Sequence, residues 1–313
     1  MRLLHILRSY LKQLERHQMN VLSQLINEAL NHQGGHIRTD GNGDITQFIA
    51  VEPASVRYLS LNDVLTPKGG QQTTFNGILA ERSLVAQAGA EIIRVPGPMT
   101  QHPTGLTGDV KMRQVTDRFI TIEPGKFTKV ADGEEITISE KPYLVAAFDH
   151  DTAPSYGVGY TISRQQLKHE FPDDTVLRVV NTAIERGVAD LADFILLNYL
   201  ETNAQTLADA TFKGLVKAAA ARGLRWDEIR AIAGGNCTGL EVDGAGILRA
   251  FGARAEISNQ TTKTIMGAFN RSAVAIDDDI RVTARRVLNG AVEVVVWVNA
   301  SALVPSATAF WKA

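Results

Sequence analysis

A single cysteine, Cys237, stands among 313 residues. It excludes an internal disulfide framework and a cysteine-cluster metal site. Aromatic residues make up only 6% of the chain, too few for a wide aromatic ligand platform. Neither sign of charge dominates. Lys and Arg number 32, Asp and Glu 34, a formal charge of −2, which excludes a chain-wide basic field for gripping nucleic acid. No run approaches the roughly 18 apolar residues of a membrane-spanning helix. The longest apolar stretches are Phe194–Leu197 and Val292–Val298, the second interrupted by Glu293. A Gly-x-Ser-x-Gly elbow, a phosphate loop and His-Glu-x-x-His are all missing. Gly157-Val158-Gly159 lacks the third glycine of a dinucleotide fingerprint. What remains, 44% hydrophobic and 21% charged, reads as a soluble globular chain from a reducing compartment, long enough for two domains or for one domain with insertions.

The isolated candidates for chemistry have plainer readings. Cys237 sits in Gly234-Gly235-Asn236-Cys237-Thr238-Gly239 with no identifiable His and acid partners. It reads as a passive thiol, although a Cys237 or His150 site stays open as the enzyme alternative. His150 between Asp149 and Asp151 reads as part of a solvated turn. Asp277-Asp278-Asp279 reads as a solvated strand entry, or as salt-bridge partners for Arg281 or Arg285 of a neighbouring copy. Asp40-Gly41-Asn42-Gly43-Asp44 is a turn rather than a calcium loop. Ile45 and Val51 occupy the positions where such a loop needs Gly and Glu. The sequence therefore offers no catalytic residue, cofactor site or metal site, and the chain is read as not an enzyme.

Hydrophobic spacing sets out the elements. Leu4, Leu7, Leu11, Leu14, Leu22, Leu25, Ile26 and Leu30 predict an amphipathic helix over residues 3–30. Its stripe would pack on its own body or on a neighbouring subunit. Alternatively Arg2, Arg8, Lys12 and Arg16 would meet anionic lipid or nucleic acid. The basic start resembles a transit peptide, but the helical pattern continues past Glu15. Residues 61–90 predict a loop and a short helix. Arg118–Glu123 alternates and meets a Pro124-Gly125 turn. Asp132-Gly133 then predicts a hairpin with Phe127 opposite Ile138. Phe127, Ile136 and Ile138 share one face of this ribbon, which has little core of its own and reads as an arm. Pro172–Thr202 predicts a helix about 45 Å long, with Val176, Val180, Ile184, Leu191, Phe194 and Ile195 on its apolar face. The Ala- and Gly-rich residues 205–268 predict short helices, one of them capped by Asp243. Asn289-Gly290 predicts a closing hairpin with a two-residue loop. That loop places Val282 opposite Trp297, Ala284 opposite Val295 and Arg286 opposite Glu293, with Val282, Ala284, Val295 and Trp297 as the buried face.

This order of elements resembles the major capsid protein of tailed bacteriophages, the Hong Kong 97-like fold. Leu79–Val95 resembles the segment leading into that family's extended loop. Tyr156–Leu167 resembles the run before its spine helix, and Val304-Pro305 with Ala309-Phe310 its closing strand. The resemblance covers most of residues 60–313. It implies an α+β fold with an N-terminal arm over residues 1–60, a peripheral domain begun by 61–100 and an extended β-loop over 101–155. Residues 156–204 would hold the spine helix of the peripheral domain, 205–268 an axial domain, and 269–313 a hairpin returning to the peripheral domain. It further implies an icosahedral shell of hexamers and pentamers, assembled in the host bacterial cytoplasm and enclosing double-stranded DNA in a virion. The implied partners are the chain itself, portal, scaffolding or cement proteins, and packaged DNA in non-specific contact, with no membrane. Phe127, Ile136, Ile138, Arg281 and Arg285 are the subunit-interface candidates. An encapsulin-like shell around protein cargo is the alternative.

Overall fold

The computed structural model describes residues 26, 36–39, 45–49, 57–60, 79, 81–95, 118–125, 127–130, 132, 135, 136, 138, 141–169, 175–287 and 289–313. The N-terminal helix, apart from a helical and buried Ile26, the Asp40–Asp44 turn and Pro172 lie outside these residues. The fold is α+β. Its first strands are β1 (His36–Thr39), β2 (Ile45–Ile49) and β3 (Arg57–Ser60). Helix α1 (Leu84–Gln87) precedes β4 (Glu91–Val95), β5 (Arg118–Ile122), β6 (Tyr143–Ala147) and β7 (Ser155–Ile162). Helices α2 (Arg164–His169) and α3 (Thr175–Asn203) follow, then β8 (Gln205–Thr206) and α4 (Phe212–Ala221). Next come β9 (Arg230–Ala233), β10 (Leu240–Val242), β11 (Leu248–Ala250), β12 (Ala253–Ile257) and β13 (Ile265–Gly267). The last strands are β14 (Ala273–Asp277), β15 (Asp279–Arg286), β16 (Val292–Leu303) and β17 (Phe310–Lys312).

The chain divides into two compact units. One comprises residues 1–75, 155–187 and 278–298. In it β1 pairs with β2, and β15 lies antiparallel between β3 and the first part of β16, which also pairs with β7. The β15–β16 hairpin departs from the predicted register by one residue. Arg281 stands opposite Trp297, Val282 opposite Val296 and Arg285 opposite Glu293. The cause is the loop. Val287 N–H donates to the Ala291 carbonyl at 2.8 Å, and Gly290 N–H donates to the Val287 carbonyl at 2.8 Å. Three residues are thus enclosed, and Gly290 supplies the positive φ of +82° that such a loop needs at its end. A one-residue slip turns one strand over. Val282 and Ala284 are buried as expected, but their partners are Val292, Val294, Val296 and Val298, while Trp297 is exposed and Val295 half-buried. Trp297 also explains the first glycine of the pair in β7. A Cβ on Gly157 would lie 2.8 Å from its indole ring.

The other unit comprises residues 76–154, 188–277 and 299–313. Here β14 runs parallel to β4 and antiparallel to the end of β16. Val95, Phe119, Phe148, Ala273, Ala275 and Leu303 form a buried cluster beside them. A seven-stranded sheet, in the order β10-β11-β12-β9-β13-β17-β8, occupies much of the region where short helices were predicted. Only α4 matches one of those helices, ending at Gly223 with φ +68°. Trp226–Glu228 is a single 3-10 turn before β9. Asp243 does not cap a helix. Its Oδ1 accepts from the N–H groups of Ala245 and Ile247, and its Oδ2 from Arg249 Nε at 2.8 Å, holding the β10–β11 turn.

Helix α3, with 29 residues, runs from one unit into the other. Ile184 and Ile195 are buried as expected, but Leu191 is only half-buried and Phe194 exposed. The apolar face of the second half is carried instead by Val188, Ala192, Leu196, Leu197 and Leu200. The buried Asp193 accepts hydrogen bonds from Ser83 Oγ at 2.7 Å and from the N–H groups of Leu84 and Val85 at 3.0 Å. One carboxylate thereby satisfies donors at the start of α1. Burial pushes its carboxyl above its ordinary value, against the pull of those three bonds. At the C-terminal end of α3, Lys312 Nζ donates to the carbonyls of Glu201 at 2.8 Å and Thr202 at 3.2 Å, placing a cation where the helix dipole favours one.

Two measurements check this account. Gly187 lies inside α3, and a Cβ there would meet nothing within 4 Å. Gly187→Ala is therefore expected to raise stability by about 1 kcal/mol in a thermal melt. Glu201 accepts from Thr262 Oγ, Thr261 Oγ and Thr262 N–H. The Thr262 hydroxyl chiefly lowers its carboxyl from the ordinary 4.5. A lowered folded-state value stabilises above 4.5 and is lost as pH falls through the lowered value. Glu201→Gln should thus melt below the parent at neutral pH, with the deficit shrinking on acidification below that window.

Candidate subunit interface

The region around the predicted arm is built on a two-stranded antiparallel ladder. Arg118 pairs with Ala147, Phe119 with Ala146, Ile120 with Val145, Thr121 with Leu144 and Ile122 with Tyr143. This register is the one in which Phe127 would stand opposite Ile138, although the described residues between Glu123 and Pro142 are not in strand. Gly133, in the predicted turn, lies outside the described residues, while Asp132 is in a turn.

Alternation gives the ladder two unlike faces. Phe119 is 8% exposed and joins the cluster of Val95, Phe148 and Leu303, with Ala146 packed beside it. This corrects the reading of the whole ribbon as an arm, because its base belongs to the core. The opposite face carries Ile120, Ile122, Tyr143 and Val145, all exposed, with Ile122 at 74%. Lys141 Nζ lies 5.9 Å from the centre of the Tyr143 ring. Beyond the ladder, Phe127, Ile136 and Ile138 are also exposed. The sequence reading missed the four ladder residues. Their signal was the alternation of 118–122 set against the apolar run Tyr143–Phe148.

The remaining candidates lie in the other unit. Arg281 and Arg285 project from the outward side of β15. Arg285 Nε donates to Glu293 Oε2 at 2.6 Å, the ion pair that the sequence gave to Arg286. The Asp277 proposed for a neighbour's arginine is buried, not solvated. Its Oδ2 lies 3.7 Å from His150 Nδ1. His150 does sit in the exposed turn expected for it, but its ring is turned inward. Its ring meets Phe148 edge-on at 5.0 Å. Cys237 is exposed and unpaired. Among the described residues no group of three His, Cys, Asp or Glu side chains is placed to hold a metal ion. Among them, too, no helix is long and apolar enough to cross a membrane.

No family model matches the sequence, and no curated protein matches it. Solved structures similar to the chain include the capsid of an empty GTA particle, at 9% identity and TM-score 0.47, covering 80% of this chain and 94% of that one. A satellite phage P4 procapsid structure is similar at 13% identity and TM-score 0.45, over 75% and 95%. A virus-like particle from Pyrococcus furiosus is similar at 12% identity and TM-score 0.43, over 76% and 95%.

The two-faced ladder makes a separable expectation. Ile122→Glu combined with Val145→Glu should leave the circular dichroism spectrum and melting temperature nearly unchanged, since both residues are exposed. Self-association measured by light scattering should fall. A large drop in melting temperature would mean that this face is covered within the monomer.

Proposed function

We propose that the chain is the major capsid protein of a tailed bacteriophage, self-assembling into an icosahedral shell around double-stranded DNA. The observation that carries this reading is the ribbon. It is anchored to the core by Phe119 at its base and presents Ile120, Ile122, Tyr143 and Val145 to solvent. Phe127, Ile136 and Ile138 add three more strongly exposed apolar side chains. A monomer seldom leaves so much apolar surface uncovered. A second copy covers it most economically, because every subunit then repeats the contact. The resemblance of Leu79–Val95 and Tyr156–Leu167 to the capsid family points the same way.

In this reading residues 101–155 form the extended loop, α3 the spine of the peripheral domain and residues 205–268 the axial domain. Arg281 and Arg285 join Phe127, Ile136 and Ile138 as interface residues. The formal charge of −2 suits a container that must not hold its DNA tightly. Contact with the packaged DNA is then non-specific, and portal, scaffolding or cement proteins are the further partners. The shell is assembled in the host bacterial cytoplasm and ends in the virion, and the role is structural rather than enzymatic.

Electron microscopy of the expressed protein tests the reading directly, and closed shells are the expected result. DNA co-purifying with them supports a phage head, whereas an enzyme cargo would move the reading to an encapsulin-like compartment. Replacing residues 124–141 with a Gly-Ser linker retains Phe119 and the ladder, so it should leave a folded protein that no longer forms shells. Normal shells from that variant would remove the ribbon from assembly.

A further inference from the structure

Strand β7 is the edge of its sheet. It pairs with β16 on one side, and among the described residues no strand pairs with its other side. Ala300 N–H donates to the Pro154 carbonyl at 3.2 Å, Gly157 lies beside Trp297, and Gly159 lies beside Val295. These contacts share one antiparallel register with no bulge. Backbone groups alternate in direction along an antiparallel strand. Those of Pro154 face β16, so those of Gly157, Gly159 and Thr161 face outward, and all three residues are exposed. An open edge is a template for pairing with another chain, and proteins blunt it with charge, proline, a bulge or a very short strand. The other edges of the larger sheets do so. β3 carries Arg57, β4 carries Glu91 and Arg94, β10 carries Glu241, and β8 has only two residues. β7 runs for eight residues, Ser-Tyr-Gly-Val-Gly-Tyr-Thr-Ile, with no charge and no proline. Pro154 precedes it, but its missing N–H would have pointed at β16 and leaves the outer edge open.

The sequence of β7 also selects its partner. Tyr156-Gly157-Val158-Gly159-Tyr160 reads the same in both directions. If two copies pair antiparallel about Val158, Val158 stands opposite itself, Gly157 opposite Gly159 and Tyr156 opposite Tyr160. The Val158 pair is then of the non-hydrogen-bonded kind, with Cα atoms about 4.5 Å apart, and the glycine pairs carry the backbone bonds. Tyr156, Val158 and Tyr160 share the face of the buried Val294, Val296 and Val298, so one apolar face continues across the seam, with an aromatic pair on each side of the axis. The glycines take the opposite face. Trp297 of the same copy accounts for Gly157, but a Cβ on Gly159 would meet only Val295 and the Val294 carbonyl, at 3.8 and 4.0 Å. The fold of one copy therefore has no need of Gly159. Pairing supplies the need, because Gly159 then lies beside the second copy's Gly157, over which the second copy's Trp297 ring is laid. Glycine within a strand marks such a close approach.

We infer that β7 of one copy pairs with β7 of a second copy about a two-fold axis through Val158, joining two sheets into one. The contact is self-complementary, and main-chain bonds along the strand give it its hold. It asks for one further copy and no closed shell, so it does not rest on the capsid reading.

The test uses the full chain with Cys237→Ser, which removes the natural thiol. Val158→Cys on that background, oxidised with copper phenanthroline, should give a disulfide-linked dimer on non-reducing electrophoresis, since each new thiol faces its own counterpart. Thr161→Cys alone should give none, because the two copies of that position lie about 20 Å apart along the paired strands. Ser155→Cys alone should likewise give none, but a mixture of the Ser155→Cys and Thr161→Cys proteins should cross-link. Both of these positions are exposed, so they decide the matter even where Val158→Cys fails to fold. Absence of a dimer from both Val158→Cys and the mixture overturns the pairing, as does a dimer from Thr161→Cys alone. Maleimide labelling of undenatured Val158→Cys reads the other occupants of the edge. A thiol that neither cross-links nor labels is covered by another segment of the chain or by a different partner, and that result also overturns self-pairing.

Discussion

Strand alternation at the β5–β6 ladder is the constraint on which the functional reading depends. Successive side chains must point to opposite faces, so a strand that sends Phe119 into the core necessarily sends Ile120 and Ile122 the other way. In an ordinary half-buried strand those outward positions would be polar. Here they are isoleucines, and the partner strand places Val145 and Tyr143 beside them. The ladder is thus apolar on both faces and covered on one. An extended ribbon cannot fold back to cover itself without giving up the base that holds it. The uncovered face is where the proposed subunit contact would form.

The unit of residues 76–154, 188–277 and 299–313 holds several short elements with single polar groups. Asp193 gathers the donors at the start of α1, Asp243 fixes a β-turn, and Lys312 closes the end of α3. Each satisfies several backbone groups at once, which matters because an unmet buried donor or acceptor costs about 1–3 kcal/mol. Asp243 acts on residues two to six positions ahead, but the other two roles show no local sequence signature. Asp193 serves residues more than a hundred positions away, and Lys312 caps a helix that ends over a hundred residues earlier. For the same reason the inward turn of the His150 ring was missed. Its flanking aspartates suggest solvent, but its partner Asp277 is remote in sequence, and only the fold brings the two together.

Elements carried by strong periodicity were legible, and those decided by small differences were not. Helix α3 and the closing hairpin stood out, because a long apolar stripe and Asn289-Gly290 are strong local signals. The hairpin's register failed because Asn-Gly fits both a two-residue loop and the last two positions of a three-residue loop. The choice between them turns over a whole strand. In the Ala-rich region, helix propensity outweighed a weaker period-two signal. Ala253-Arg254-Ala255-Glu256-Ile257 alternates small and charged residues and is a strand, with Ala253 and Ala255 buried and Arg254 exposed. Small residues suit a sheet packed closely on one side, an advantage that arises only in the tertiary structure. Of the interface candidates, Phe127, Ile136 and Ile138 were named from the hairpin pattern, and the structure shows them exposed but not in strand. The ladder residues were missed because Tyr143–Phe148 reads as an ordinary buried strand until Phe119 is seen to take the core side.

Many copies of one weak contact can build a large object without locking it prematurely. Covering exposed apolar side chains is favourable, but association and the ordering of side chains return an estimated 4–15 kcal/mol or more, so area does not convert directly into affinity. The exposed side chains lie on a ribbon whose base is held in the core by Phe119, so a contact made by the ribbon can form and break while that core stays folded. In the proposed shell the base supplies the fold and the ribbon the reversible contact, and closure comes from repetition rather than from the strength of any one joint.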